Sequence, residues 1–102
     1  MEDIMHTTIR RYEGINSGTV GEIIKLVKEG FVPIISSSGG FIRYQLIDAG
    51  NGVIATISVF ETELTARASN KMAASWVNEN LAPLLKNPPQ ITIGEARIDK
   101  VG

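Results

Sequence analysis

The chain contains no cysteine, which excludes disulfides, thiolate nucleophiles and zinc–thiolate sites together. It has one histidine, His6, and its carboxylates are scattered, so no metal-ligand constellation exists and no metal site is expected. Charge is balanced: 10 Lys and Arg against 11 Asp and Glu leave a formal net charge of −1. Without a Lys/Arg cluster to neutralise phosphates, the sequence argues against a nucleic-acid partner. No apolar run approaches the roughly 18 residues that a helical membrane span needs. The opening MEDIMHTTIRRYEG lacks the basic segment followed by an apolar one that marks a secretory signal. A cytoplasmic protein without membrane association is therefore expected. A Gly-rich phosphate loop is also missing, because the GNG motif lies between two strand-like runs rather than between strand and helix.

What is present suits an ordinary globular protein. Hydrophobic residues make up 43% and charged ones 21% of 102 residues, enough for a single domain over 1–102 with one modest core. The strongest local signal is GFIRYQLIDAGNGVIATISVFET, Gly40 to Thr62. Two apolar runs, Phe41 to Ile47 and Val53 to Phe60, flank Asp48-Ala49-Gly50-Asn51-Gly52, and Asn-Gly readily supplies the positive φ angles of a tight reversal. That is a β-hairpin. The second run is apolar at Val53, Ala55, Ile57 and Val59 and also at Ile54 and Phe60, so both its faces are expected to be at least partly covered.

The remaining elements follow from periodicity and punctuation. Met5 to Glu13 reads as a first strand, with Met5, Thr7, Ile9 and Arg11 on one face and His6, Thr8, Arg10 and Tyr12 on the other. After a loop at Gly14 to Gly18, Thr19 and Glu22 fit a capping box. Ile23, Ile24, Leu26, Val27, Phe31, Ile34 and Ile35 follow at helical spacing, with Gly30 and Pro33 predicting a kink or break. A second helix starts around Thr62 to Thr65, with Met72, Ala73, Trp76, Val77, Leu81 and Leu84 inward and Asn70, Lys71, Asn78 and Glu79 mostly outward. Asn87-Pro88-Pro89 is a stiff connector, and Gln90 to Asp99 is a last strand.

The order β-α-β-β-α-β predicts an α+β, ferredoxin-like fold with an antiparallel sheet in the order 4-1-3-2 and both helices on one face. The other face then carries apolar side chains with nothing over them, which marks an interface. A second copy related by two-fold symmetry is the simplest partner, giving a homodimer packed sheet to sheet.

This order, the PII…GGF entry to the second strand and the SVFET exit from the third resemble the dimeric α/β-barrel superfamily. Within it the chain is most similar to antibiotic-biosynthesis-monooxygenase-like proteins, whose third strand ends in an aromatic followed by Glu. The resemblance covers nearly the whole chain and is one of fold rather than activity. It implies a ligand pocket between helices and sheet and a range of activities, from cofactor-independent oxygenation of aromatic polyketides to haem degradation. The haem-degrading members carry Trp where Phe60 stands, a histidine ligand near the position of Asn70 and an Asn in the first strand. This chain has none of these, so no cofactor is expected.

The candidate ligand-binding residues are Arg10, Tyr12, Tyr44, Phe60, Asn70 and Trp76; no catalytic residue can be assigned. Arg10 can hold a carboxylate or phenolate and Tyr12 can donate a proton, or the two can form ion pairs at the dimer interface. Tyr44 and Phe60 either line a cavity or fill the core. Asn70 either bonds a polar ligand atom or sits in solvent. Trp76 is a core aromatic or a pocket wall. His6, on parity, is expected to face away from the helix–sheet pocket. Two functions remain: a small cofactor-independent monooxygenase-like enzyme acting on an aromatic or conjugated substrate, or a non-catalytic dimer that binds a small apolar or aromatic ligand or is purely structural.

Overall fold

Asn51 and Gly52 reverse the chain with φ of 54° and 75°, the pair of positive angles that lets a two-residue turn follow the twist of its strands. In the computed structural model, which describes residues 4–102, this turn joins β2 (Phe41–Gly50) to β3 (Val53–Phe60). The first three residues of the N-terminal stretch lie outside the described part. β1 (His6–Tyr12) pairs antiparallel with β3 on one side and with β4 (Gln90–Glu95) on the other. The sheet order is β2-β3-β1-β4, as the sequence predicts. β4 is shorter than expected and ends at Glu95, beyond which Ala96 makes one last backbone bond to Met5.

Between β1 and β2 the chain forms α1 (Val20–Leu26), a wide π-helical turn (Val27–Phe31) and α2 (Val32–Ser36). No break occurs at Pro33, because it falls in the first turn of α2, where a missing N–H costs little. The wide turn has a cause in the sequence. Ile23, Val27, Phe31 and Ile35 are all buried and each lies four residues after the last. At 3.6 residues per turn, each four-residue step overshoots by about 40°, so the stripe would drift by roughly 120° from Ile23 to Ile35. A turn closed by i→i+5 bonds winds more slowly and keeps the stripe on the core. The helix entry also differs from the expected capping box: Thr19 makes no side-chain cap. Instead Asn16 Oδ1 accepts from the Gly18 N–H at 2.8 Å, and the Thr19 hydroxyl donates to the Asn16 carbonyl.

α3 (Glu63–Asn80) follows β3 directly. Thr62 caps it, its hydroxyl accepting from the Thr65 N–H at 3.1 Å, and Glu63 pairs with Arg67 one turn on. Its buried positions are Ala66, Ser69 and Ala73, small residues that let the helix lie close to the sheet. No helix among the described residues is long and apolar enough to cross a membrane.

β3 alternates cleanly: Ile54, Thr56, Ser58 and Phe60 are buried, while Val53, Ala55, Ile57 and Val59 are half-buried. The even positions face the helices. The odd positions share the open face with Ile9 and Ile47, their cross-strand partners being Ile9 with Ile57 and Ile47 with Ala55. Ile9 is 38% and Ile47 44% exposed, so apolar side chains run across three strands with nothing above them. The two-sided cover expected for β3 is thus only half supplied by this chain.

Candidate functional site

β1 presents Thr8, Arg10 and Tyr12 to the helices, all three buried, and register then sets their neighbours. One cross-strand row runs Tyr44, Ser58, Thr8; the next runs Leu46, Thr56, Arg10. Small hydroxyl residues at Thr56 and Ser58, where a strand core would ordinarily carry Val or Ile, leave space above the sheet. α3 supplies Ser69, Asn70, Ala73, Trp76 and Val77 from above, and the first helical run supplies Ile23, Val27, Phe31 and Ile35. Between them lies a cavity with about 550 Å³ of atom-free space, its mouth included, but room for the centre of a water in only about 30 Å³. On that measure a cavity needs roughly 10–15 Å³ to hold one water. In this conformation the space is a narrow gap, and any larger ligand must push the helices or the aromatic side chains aside.

The polar groups converge on Arg10. Its Nε donates to the Tyr12 hydroxyl oxygen at 3.1 Å, and one terminal nitrogen donates to Asn70 Oδ1 at 3.3 Å. Phe31 forms an aromatic wall with Trp76 at 5.5 Å and with Tyr44 at 5.8 Å between ring centres. Burial pushes the Tyr44 phenol up to about 12, so near neutrality it is a hydrogen-bond donor and not a base. Among the described residues the lining contains no carboxylate and no imidazole, and no group of three or more metal-ligating side chains forms.

Five of the six candidate residues, Arg10, Tyr12, Tyr44, Asn70 and Trp76, therefore line one cavity. Phe60 does not: it is 0% exposed and packs edge-on against Phe41 at 5.9 Å. Arg10 and Tyr12 are buried under the helices rather than on the open sheet face, so interface ion pairs are ruled out for them. Asn70, assigned to the wet side by helical periodicity, is held inward by Arg10. The direction expected of His6 is also corrected, since the face it shares with Thr8, Arg10 and Tyr12 is the one that meets the helices. It sits at the strand end, near the Ile4 carbonyl at 3.1 Å, and does not line the cavity. Sequence reasoning missed Thr8, Thr56, Ser58 and Ser69. The signal available for the β3 pair was their placement on the buried parity of an otherwise Ile- and Phe-bearing strand.

No family model matches this chain, and no curated protein matches it. Solved structures do. A protein of unknown function from Nitrosomonas europaea superposes with a TM-score of 0.82 at 18% identity, covering 100% of this chain and 98% of that one. A monooxygenase from Streptomyces coelicolor, in complex with the ligand nanaomycin D, gives 0.78 at 16% identity over 98% and 94% of the two chains. A haem-degrading protein from Mycobacterium tuberculosis, in a haem-free structure, gives 0.68 at 18% identity over 99% and 100%. By architecture, the chain has the ferredoxin-like α+β fold of antibiotic-biosynthesis-monooxygenase-like proteins.

Proposed function

We propose that this protein is a small cofactor-independent oxygenase of an aromatic or otherwise conjugated substrate, working as a homodimer packed through the open sheet face. The observation that carries the proposal is the convergence of Arg10, Tyr12, Tyr44 and Asn70 inside an otherwise apolar, aromatic-walled cavity. Binding sites of this kind combine apolar walls with a few directed polar groups. A monooxygenase with the same fold adds support. A substrate with an acidic C–H beside a carbonyl supplies its own electrons to oxygen once that proton is lost. Because the lining offers no side chain with the basicity of a carboxylate or imidazole, the proton goes to water. The protein's share is then to hold the ring, to exclude bulk solvent and to donate hydrogen bonds to the oxygen on which charge develops.

Anthrone is a direct test. Its methylene carbon is oxidised to a carbonyl while one dioxygen is reduced to one water, giving anthraquinone. Purified protein freed of metals and flavin should accelerate oxygen uptake above the protein-free rate, with one dioxygen consumed per quinone formed. Asn70→Ala and Tyr44→Phe should reduce that acceleration.

A second reading, a non-catalytic ligand-binding or structural dimer, is favoured by one specific observation. The cavity has only about 30 Å³ open to a water centre, whereas drug-sized ligand pockets run to roughly 300–1,000 Å³. Uptake at the protein-free rate would select this reading.

A further inference from the structure

Arg10 is 5% exposed and, among the described residues, is the only charged side chain lining the cavity. Its hydrogen-bond partners are a hydroxyl and an amide oxygen. The ion pairs among the described residues, Arg11 with Glu13 and Arg67 with Glu63, leave it out. A guanidinium taken from water without an anion bears a desolvation cost that hydrogen bonds to neutral groups offset only in part. Thr8, two residues before Arg10 on the same strand face, has a second unmet need. It is 1% exposed, and its hydroxyl is buried with no hydrogen-bond partner among the described residues. An unpaired cation and an unpaired hydroxyl thus face one cavity.

A second space adjoins the site. Outside the cavity, α3 and the connector through Pro88 and Pro89 bound an open groove of about 220 Å³. Arg10, Tyr12, Val77 and Leu85 line both spaces, so these four side chains form the partition between them. Arg10 thus borders the groove as well as the cavity, and Lys86 on the groove wall adds a second positive charge on that side.

We infer that the ligand of this site is a small planar monoanion with its charge on oxygen, a carboxylate or an enolate-type oxyanion, bound with that oxygen between Arg10 and the Thr8 hydroxyl. This deepens the function proposed above and rests on the same cavity. It also gives Arg10 a use in the absence of a general base: a fixed cation favours the ionised form of a bound acid.

The test compares benzoate with benzamide, which has nearly the same shape and no charge, using quenching of the chain's one tryptophan, Trp76 in the cavity wall. Benzoate should bind at least about tenfold more tightly, the scale expected for a hydrogen-bonded charge. Arg10→Gln should abolish the preference, while Arg10→Lys should keep most of it. Thr8→Val should weaken benzoate and leave benzamide unchanged. A structural role for Arg10 would move folding but not this ratio. The chromophore 4-nitrophenol separates the two anion types. A lowered apparent pKa when bound indicates a phenolate or enolate site, and an unshifted one beside a benzoate preference indicates a carboxylate site. Equal affinity for benzoate and benzamide in the parent protein would overturn the inference and leave the cavity as a neutral-ligand site. Binding of neither would overturn both the inference and the proposed function.

Discussion

Replacing Gly52 by Ala tests how the hairpin is tied to the site. Gly52 has φ of +75°, and a Cβ there would overlap the Ile15 carbonyl oxygen and lie 3.1 Å from the Ile15 nitrogen. The left-handed conformation alone costs a residue with a Cβ about 1–2 kcal/mol. Relieving the overlap requires the Ile15 segment to move, which strains the bond from the Ile15 N–H to the Gly52 carbonyl at 3.0 Å; losing it costs about 1 kcal/mol more. Together that is about 2–3 kcal/mol, or roughly 10–20 °C in Tm for a chain of this size. Gly50 is a built-in control: its φ is +79°, but a Cβ there meets nothing within 4 Å. Gly50→Ala should cost only the conformational part, about 1–2 kcal/mol. Thermal unfolding followed by circular dichroism measures both. Equal losses for the two variants would refute the close approach of turn and loop as the source of the difference.

Light scattering at micromolar concentration should return about twice the chain mass of 11.0 kDa, and a clean monomer would sink the sheet-to-sheet arrangement. A haem titration should show no saturable one-to-one Soret shift, since α3 carries no histidine and His6 lies outside the cavity; a shift abolished by His6→Ala would reverse that. Tyr44 predicts a pH dependence. Its phenol ionises near about 10 when unfolded and about 12 when folded. The folded state thus holds the proton more tightly. This stabilisation is complete below pH 10 and is lost as pH rises toward 12, at up to about 1.4 kcal/mol per unit. Tyr44→Phe should flatten the slope of Tm against pH in that window, and parallel slopes would remove burial as its cause.

The topology was legible because its signals are local and agree: Asn51-Gly52 for the turn, the apolar runs that flank it for the hairpin strands and the 3–4 spacing of Met72, Ala73, Trp76 and Val77 for α3. The candidate site was legible only in part, and the failures share one cause. Asn70 sits at the edge of the helical stripe, where periodicity assigns it to solvent; its bond to Arg10, sixty residues away in sequence, overrides that assignment. The face parity within β1 was correct, but which face meets the helices depends on β3, whose Ile54 and Phe60 go inward while Ile57 and Val59 stay on the open side. Both sets are apolar, so hydropathy could not choose. Thr56 and Ser58 were passed over as ordinary strand residues because their effect is volume they do not fill.

The wide turn at Val27–Phe31 holds about one residue more than a regular helix needs to reach the same wall. An α-helix advances about 100° per residue, so deleting one residue within that turn would let α1 and α2 merge into a regular helix in which roughly three full turns still separate Ile23 from Ile35. Ile35, now 1% exposed, would stay in the core, and Phe31 would still face Trp76 and Tyr44. One further residue inserted there would instead turn α2 by about 100° and carry Ile35 out of the core. Loss of a residue at this point is thus absorbed by the helix, whereas gain of one re-forms a cavity wall and offers a route to a differently shaped cavity on the same sheet.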